Sequence, residues 1–114
     1  MAKSLNFNTI KKEYFTVTLP DEDKTTIMIG TPTKALLQEL TNLSANVTID
    51  YKDQDAIEVL FDDLYTTISK VMSRNKGGIF ISKEKLEECF DFENIMIFFK
   101  AYLEFVNGIK SVKN

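Results

Sequence analysis

The sequence predicts an α+β fold: an N-terminal β-hairpin followed by about four α-helices, mainly helical overall. Three observations lead there. Residues 14–30 alternate apolar and polar around a break at Pro20, the pattern of two half-buried strands. Beyond residue 30 the apolar residues recur at spacings of three and four, the period of helices. With 114 residues, 44% hydrophobic and 27% charged, the chain suits one globular domain with a modest core. That domain spans 1–114, with an arm and hairpin over 1–30, a helical part over 31–109 and a frayed polar tail over 110–114.

In residues 3–10, Leu5 and Phe7 alternate weakly, as a short edge strand or an ordered arm. Tyr14 to Leu19, YFTVTL, alternates cleanly, with Phe15, Val17 and Leu19 on one side. Its aromatic and β-branched content supports a strand. Pro20-Asp21-Glu22-Asp23 reads as a turn, because proline presets φ and acidic side chains suit turn geometry. A second strand follows over Lys24 to Gly30, with Ile27 and Ile29 facing together.

Gly30-Thr31-Pro32-Thr33 opens the first helix, with Thr31 as N-cap and Pro32 at the first helical position. Leu36, Leu37, Leu40 and Leu43 supply its stripe. In Ser44 to Lys52, Val47, Ile49 and Tyr51 alternate, which leaves a strand and a loop both open. Asp55 with Glu58 fits a capping pair at the next helix start. Ile57, Leu60, Phe61, Leu64, Ile68, Val71 and Met72 then form the clearest stripe in the chain. Asn75-Lys76-Gly77-Gly78 ends that helix, since glycine readily takes the left-handed conformation. Ile79-Phe80-Ile81 is an extended apolar bridge. Ser82 caps a short helix, KEKLEECF, and Asp91 caps the last one.

That last helix, Phe92 to Ile109, carries five aromatic residues. At about 100° per residue, its apolar residues cover roughly half the circumference, wider than an ordinary surface stripe. It is therefore either the central core element or a face partly open to another chain. Ile95, Phe99, Leu103 and Val106 are expected to pack inward against the Ile57–Met72 stripe. Ile97 lies outside the arc, on the side of Glu93, Lys100 and Glu104. The candidate partner-binding residues are Ile97, Phe98, Tyr102, Phe105 and Ile109. For Phe98 and Phe105, filling a phenylalanine-built core is an equal alternative.

Catalytic, metal-binding and cofactor-binding motifs are absent from the sequence. With no histidine, the commonest general base and metal ligand is missing. Cys89, the single cysteine, permits no intrachain disulfide and no zinc site, and points to a reducing compartment. Asp50, Asp53, Asp55 and Glu58 lack the glycine and terminal glutamate spacing of a calcium loop. Gly77-Gly78 lacks the following Lys-Ser/Thr of a phosphate loop. A net charge of −3 without a basic run argues against nucleic acid. No apolar run suits a signal peptide or a membrane span. A cytoplasmic protein that is not an enzyme is the expectation.

In order and length, YFTVTLPDEDKTTIMIG, PTKALLQEL, IEVLFDDLYTTISKVMSRN, GGIFISKEKLEECFDFENI and FFKAYLEFVNGI resemble the tail assembly chaperones of long-tailed phages and prophages of Gram-positive bacteria. The resemblance covers nearly the whole chain and rests on helix texture and spacing rather than a sharp signature. It implies a small host-cytoplasmic protein that keeps the apolar, helical tape-measure protein soluble and yields it as tail-tube subunits polymerise. It also implies self-association into an oligomer. The family offers no motif from which a residue-level site carries over. The alternative is a small acidic adaptor or inhibitor of a host protein, although 17 acidic against 14 basic residues is a thin excess for nucleic-acid mimicry.

Overall fold

The structure, a computed structural model, describes residues 13–46 and 54–112, with side chains over 13–45 and 54–108. The arm expected over 3–10 and the alternation of Val47, Ile49 and Tyr51 lie outside the described residues. The rest is a two-stranded antiparallel sheet followed by four helices, the α+β architecture expected from the sequence.

Strand β1 (Phe15–Thr18) pairs with β2 (Thr26–Ile29), setting Phe15 opposite Ile29 and Val17 opposite Ile27. Leu19, Ile27 and Ile29 are buried and Phe15 and Val17 half-buried, while Thr16, Thr18, Thr26 and Met28 face out. The period-two alternation thus puts one face on the core. Asp21 holds the loop between the strands. Its carboxylate accepts from the Thr25 amide at 2.9 Å and the Thr25 hydroxyl at 2.8 Å. Lys85 of the third helix reaches the same carboxylate at 3.0 Å.

Helix α1 (Lys34–Asn46) starts later than expected. Thr33, not Thr31, is its cap, its hydroxyl accepting from the Leu36 amide at 3.2 Å. Pro32 therefore precedes the cap instead of occupying the first turn. The expected stripe buries Leu36, Leu40 and Leu43.

Helix α2 (Gln54–Ser73) packs against α1, β2 and both later helices, so it, not the last helix, is the hub of the fold. Leu60, Leu64, Ile68, Val71 and Met72 are buried along it. Asp55 sits within its first turn rather than ahead of it. A carboxylate there still meets the positive end of the helix dipole.

Past α2 the chain turns back on β2. Lys76 donates its amide to the Met28 carbonyl at 2.8 Å, and the Gly30 amide donates to the Arg74 carbonyl at 3.1 Å. The outer edge of β2 is thereby covered at its C-terminal end. Gly78 adopts φ of +70°, where a side chain would be strained. Ile81 is buried, its carbonyl accepting from the Ser69 and Ser73 hydroxyls at 2.6 and 3.1 Å.

Helix α3 (Lys83–Cys89) is capped by Ser82, which accepts from the Lys85 amide. Helix α4 (Phe92–Val112) is capped by Asp91, which accepts from the Asn94 amide at 2.8 Å. Both caps match expectation. Ile95, Phe99 and Val106 are buried and Leu103 is partly buried against the core. The helical backbone of α4 continues past Ile109 to Val112, into the stretch expected as a tail from 110.

Candidate functional site: an apolar groove between the first strand and the last helix

Strand β1 approaches α4 through aromatic rings. The Phe15 ring stands 6.1 Å from Phe98, 6.1 Å from Tyr102 and 5.4 Å from Phe105, centroid to centroid. Phe98 and Tyr102 stack on each other at 5.8 Å. These separations are those of favourable aromatic pairs, worth about 0.5–1.5 kcal/mol each beyond area burial. Large rings keep the strand and helix backbones apart, and a groove of about 310 Å³ lies between them. Phe15, Val17, Phe90, Ile97, Phe98 and Ala101 give it apolar walls, and Pro20 and Asn94 also line it.

The sequence-derived site residues separate here. Ile97 is 60% exposed and lines the groove. Phe98 lines it too, but from beneath, at 6% exposure. Tyr102 is only 1% exposed, with its hydroxyl donated to the Gly30 carbonyl at 2.8 Å. Burial pushes the Tyr102 phenol up to about 12, because the anion would lose its hydration. Phe105 is partly buried against Phe15. The side chain of Ile109 lies outside the described residues.

Of the two alternatives the sequence left open for α4, core element or partly open face, its described side chains Phe98 and Tyr102 follow the first. Phe98 and Tyr102 are core residues, covered by Phe15 from the hairpin. A narrower groove edged by Ile97 remains. Phe15, Val17, Pro20, Phe90, Asn94 and Ala101 were not foreseen as its lining. The alternation of YFTVTL showed that Phe15 and Val17 face inward together. It carried no information on which helix they meet.

Other apolar side chains reach solvent elsewhere. Phe80, at 77% the most exposed of them, stands on the α2–α3 connection. Phe61 and Phe92 stack at 4.6 Å across α2 and α4. Among the described residues no group of three or more acidic or cysteine side chains is placed to hold a metal ion. Burial raises the Cys89 thiol above its ordinary range, away from the thiolate form that reacts. No described helix is long and apolar enough to cross a membrane. No protein-family model, curated protein or solved structure matches this chain.

Proposed function

We propose that the chain is a non-catalytic binding protein, and that its role is that of a tail assembly chaperone for a tape-measure protein. The observation that supports binding is the groove between β1 and α4. It sets exposed Ile97 beside the half-buried ring of Phe15, with the buried ring of Phe98 beneath. An apolar recess of this kind suits the apolar side chains of a client. The tape-measure client, the hand-over to tail-tube subunits and self-association rest on the sequence resemblance. Burial of Phe98 and Tyr102 narrows the physical support from a whole helix face to this recess.

Co-expression with a tape-measure fragment tests the role. The chain is expected to keep the fragment soluble and to co-purify with it, and Ile97→Asp is expected to weaken both effects. A fragment that stays insoluble beside well-folded chain would end the proposal.

A further inference from the structure

The two edges of the sheet are not alike. Leu19 donates its amide to Thr25, and the strand register continues from that pair to Phe15 opposite Ile29. In an antiparallel ladder the backbone groups of alternate residues point toward and away from the partner. Phe15 and Val17 thus point their N–H and C=O groups at β2, and Thr16 and Thr18 point theirs outward. The same parity holds on β2, where the outward carbonyl of Met28 is taken by Lys76. That edge is covered at its Met28–Gly30 end. Among the described residues, nothing takes the outward groups of Thr16 and Thr18, and both residues line the groove.

A row of backbone donors and acceptors beside an apolar trough is the arrangement that accepts an added strand. Side chains on one face of such a strand drop toward Ile97 and Phe98, and those on the other stay in water. No proline or charge interrupts β1 itself, so the devices that block edge pairing are missing there.

The rim selects the partner. Exposed Asp91 and Glu93 lie in the chain between the lining residues Phe90 and Asn94, and exposed Glu22 and Asp23 lie in the loop past Pro20, against Lys24 in that loop and Lys100 next to Ala101. An acidic rim disfavours a second copy of the same rim and favours cations.

We infer that the outer edge of β1 takes up an extended segment of another polypeptide, alternating apolar and polar residues and carrying lysine or arginine near its ends. This rests on the groove being a binding surface, but not on the client being a tape-measure protein.

Selection of short random peptides on the full chain tests it, followed by NMR titration of the strongest binder. The expected winners alternate β-branched or aromatic with basic residues and protect the Thr16 and Thr18 amides from exchange. Thr16→Pro removes an outward N–H and leaves the β1–β2 ladder intact, so the hairpin persists by circular dichroism. Binding to that variant should fall by roughly tenfold or more, and Ile97→Ser should also weaken it. Helical or acidic winners, winners indifferent to both substitutions, or no winners at all would overturn the inference. Helical winners that still need Ile97 would leave the binding-surface reading standing. Without peptide, amide protection that rises with protein concentration would assign the edge to a second copy. Protection at every dilution would assign it to the chain itself. Either result overturns the inference.

Discussion

The hydroxyl of Tyr102 on α4 donates a 2.8 Å hydrogen bond to the carbonyl of Gly30, where β2 ends. It joins positions 72 apart in the sequence and fastens the last helix to the first supersecondary unit. Tyr102→Phe keeps the ring in its stack but leaves that carbonyl without its partner. A loss of about 1 kcal/mol is expected in urea unfolding near neutral pH. The folded-state value of about 12 lies above the ordinary 10.0, so the contribution of neutral Tyr102 is complete below pH 10. It fades as pH rises toward 12. Unfolding free energies measured across that window should fall more steeply for the wild type than for Tyr102→Phe. Parallel slopes would contradict the burial argument.

Phe15 and Ile97 both line the groove, yet their substitutions should separate stability from binding. The Phe15 ring meets three other rings, and Phe15→Ala should destabilise the fold by roughly 2–3 kcal/mol, toward the low end for a half-buried phenylalanine. Ile97 is mostly in water, so Ile97→Ser should change thermal stability by no more than about 0.5 kcal/mol. Calorimetry on the two variants decides. A large loss from Ile97→Ser would mean that it belongs to the core.

Acid should loosen the hairpin loop through Asp21. The Thr25 backbone amide, the Thr25 hydroxyl and Lys85, in that order, hold its carboxyl at about 2, below the ordinary 3.8. A depressed folded-state value means stability that is present above pH 4 and lost as pH falls toward 2. Asp21→Asn should flatten the wild-type stability curve over that window. Lys85→Met should flatten it only in part, since the Thr25 bonds are the larger cause. Equal flattening by the two variants would reverse that order.

Asn75 holds the α2–α3 connection together. Its amide nitrogen donates to the carbonyls of Met72 and Ile79 at 2.8 and 2.6 Å, and its oxygen accepts from the Ile79 amide at 2.8 Å. Asn75→Ala should cost about 1–3 kcal/mol. It should also speed exchange of the Lys76 amide, which covers the edge of β2 at the Met28 carbonyl. Unchanged exchange at Lys76 would show that edge closure does not depend on the asparagine.

Local signals were legible where the physics is local. YFTVTL announced β1 because strand side chains alternate every residue, and Ile57 through Met72 announced α2 because helical neighbours recur at three and four. Ser82 and Asp91 were readable as caps, since each is satisfied by an amide three residues on. Thr31 and Thr33 are both good caps beside Pro32, and the spacing of residues does not by itself select Thr33. In the fold the stretch ahead of that cap is held by Arg74 at the Thr31 carbonyl and by Tyr102 at the Gly30 carbonyl. The groove was only half legible. Ile97 stood outside the apolar arc in sequence, while the fate of Phe98 and Tyr102 hung on a contact more than eighty residues away, with Phe15.

The sequence by itself determined the hairpin-then-helices order, the inward faces of the elements and most of their ends, because these follow from the spacing of neighbours. Only the tertiary structure decided that α2 is the hub and that β1 covers α4. It also decided that one sheet edge is covered at its Met28–Gly30 end while the other borders an apolar groove. Those outcomes depend on which amphipathic face meets which. Many pairings bury similar apolar area, so periodicity alone does not choose among them. Ring volume and hydrogen-bond geometry do.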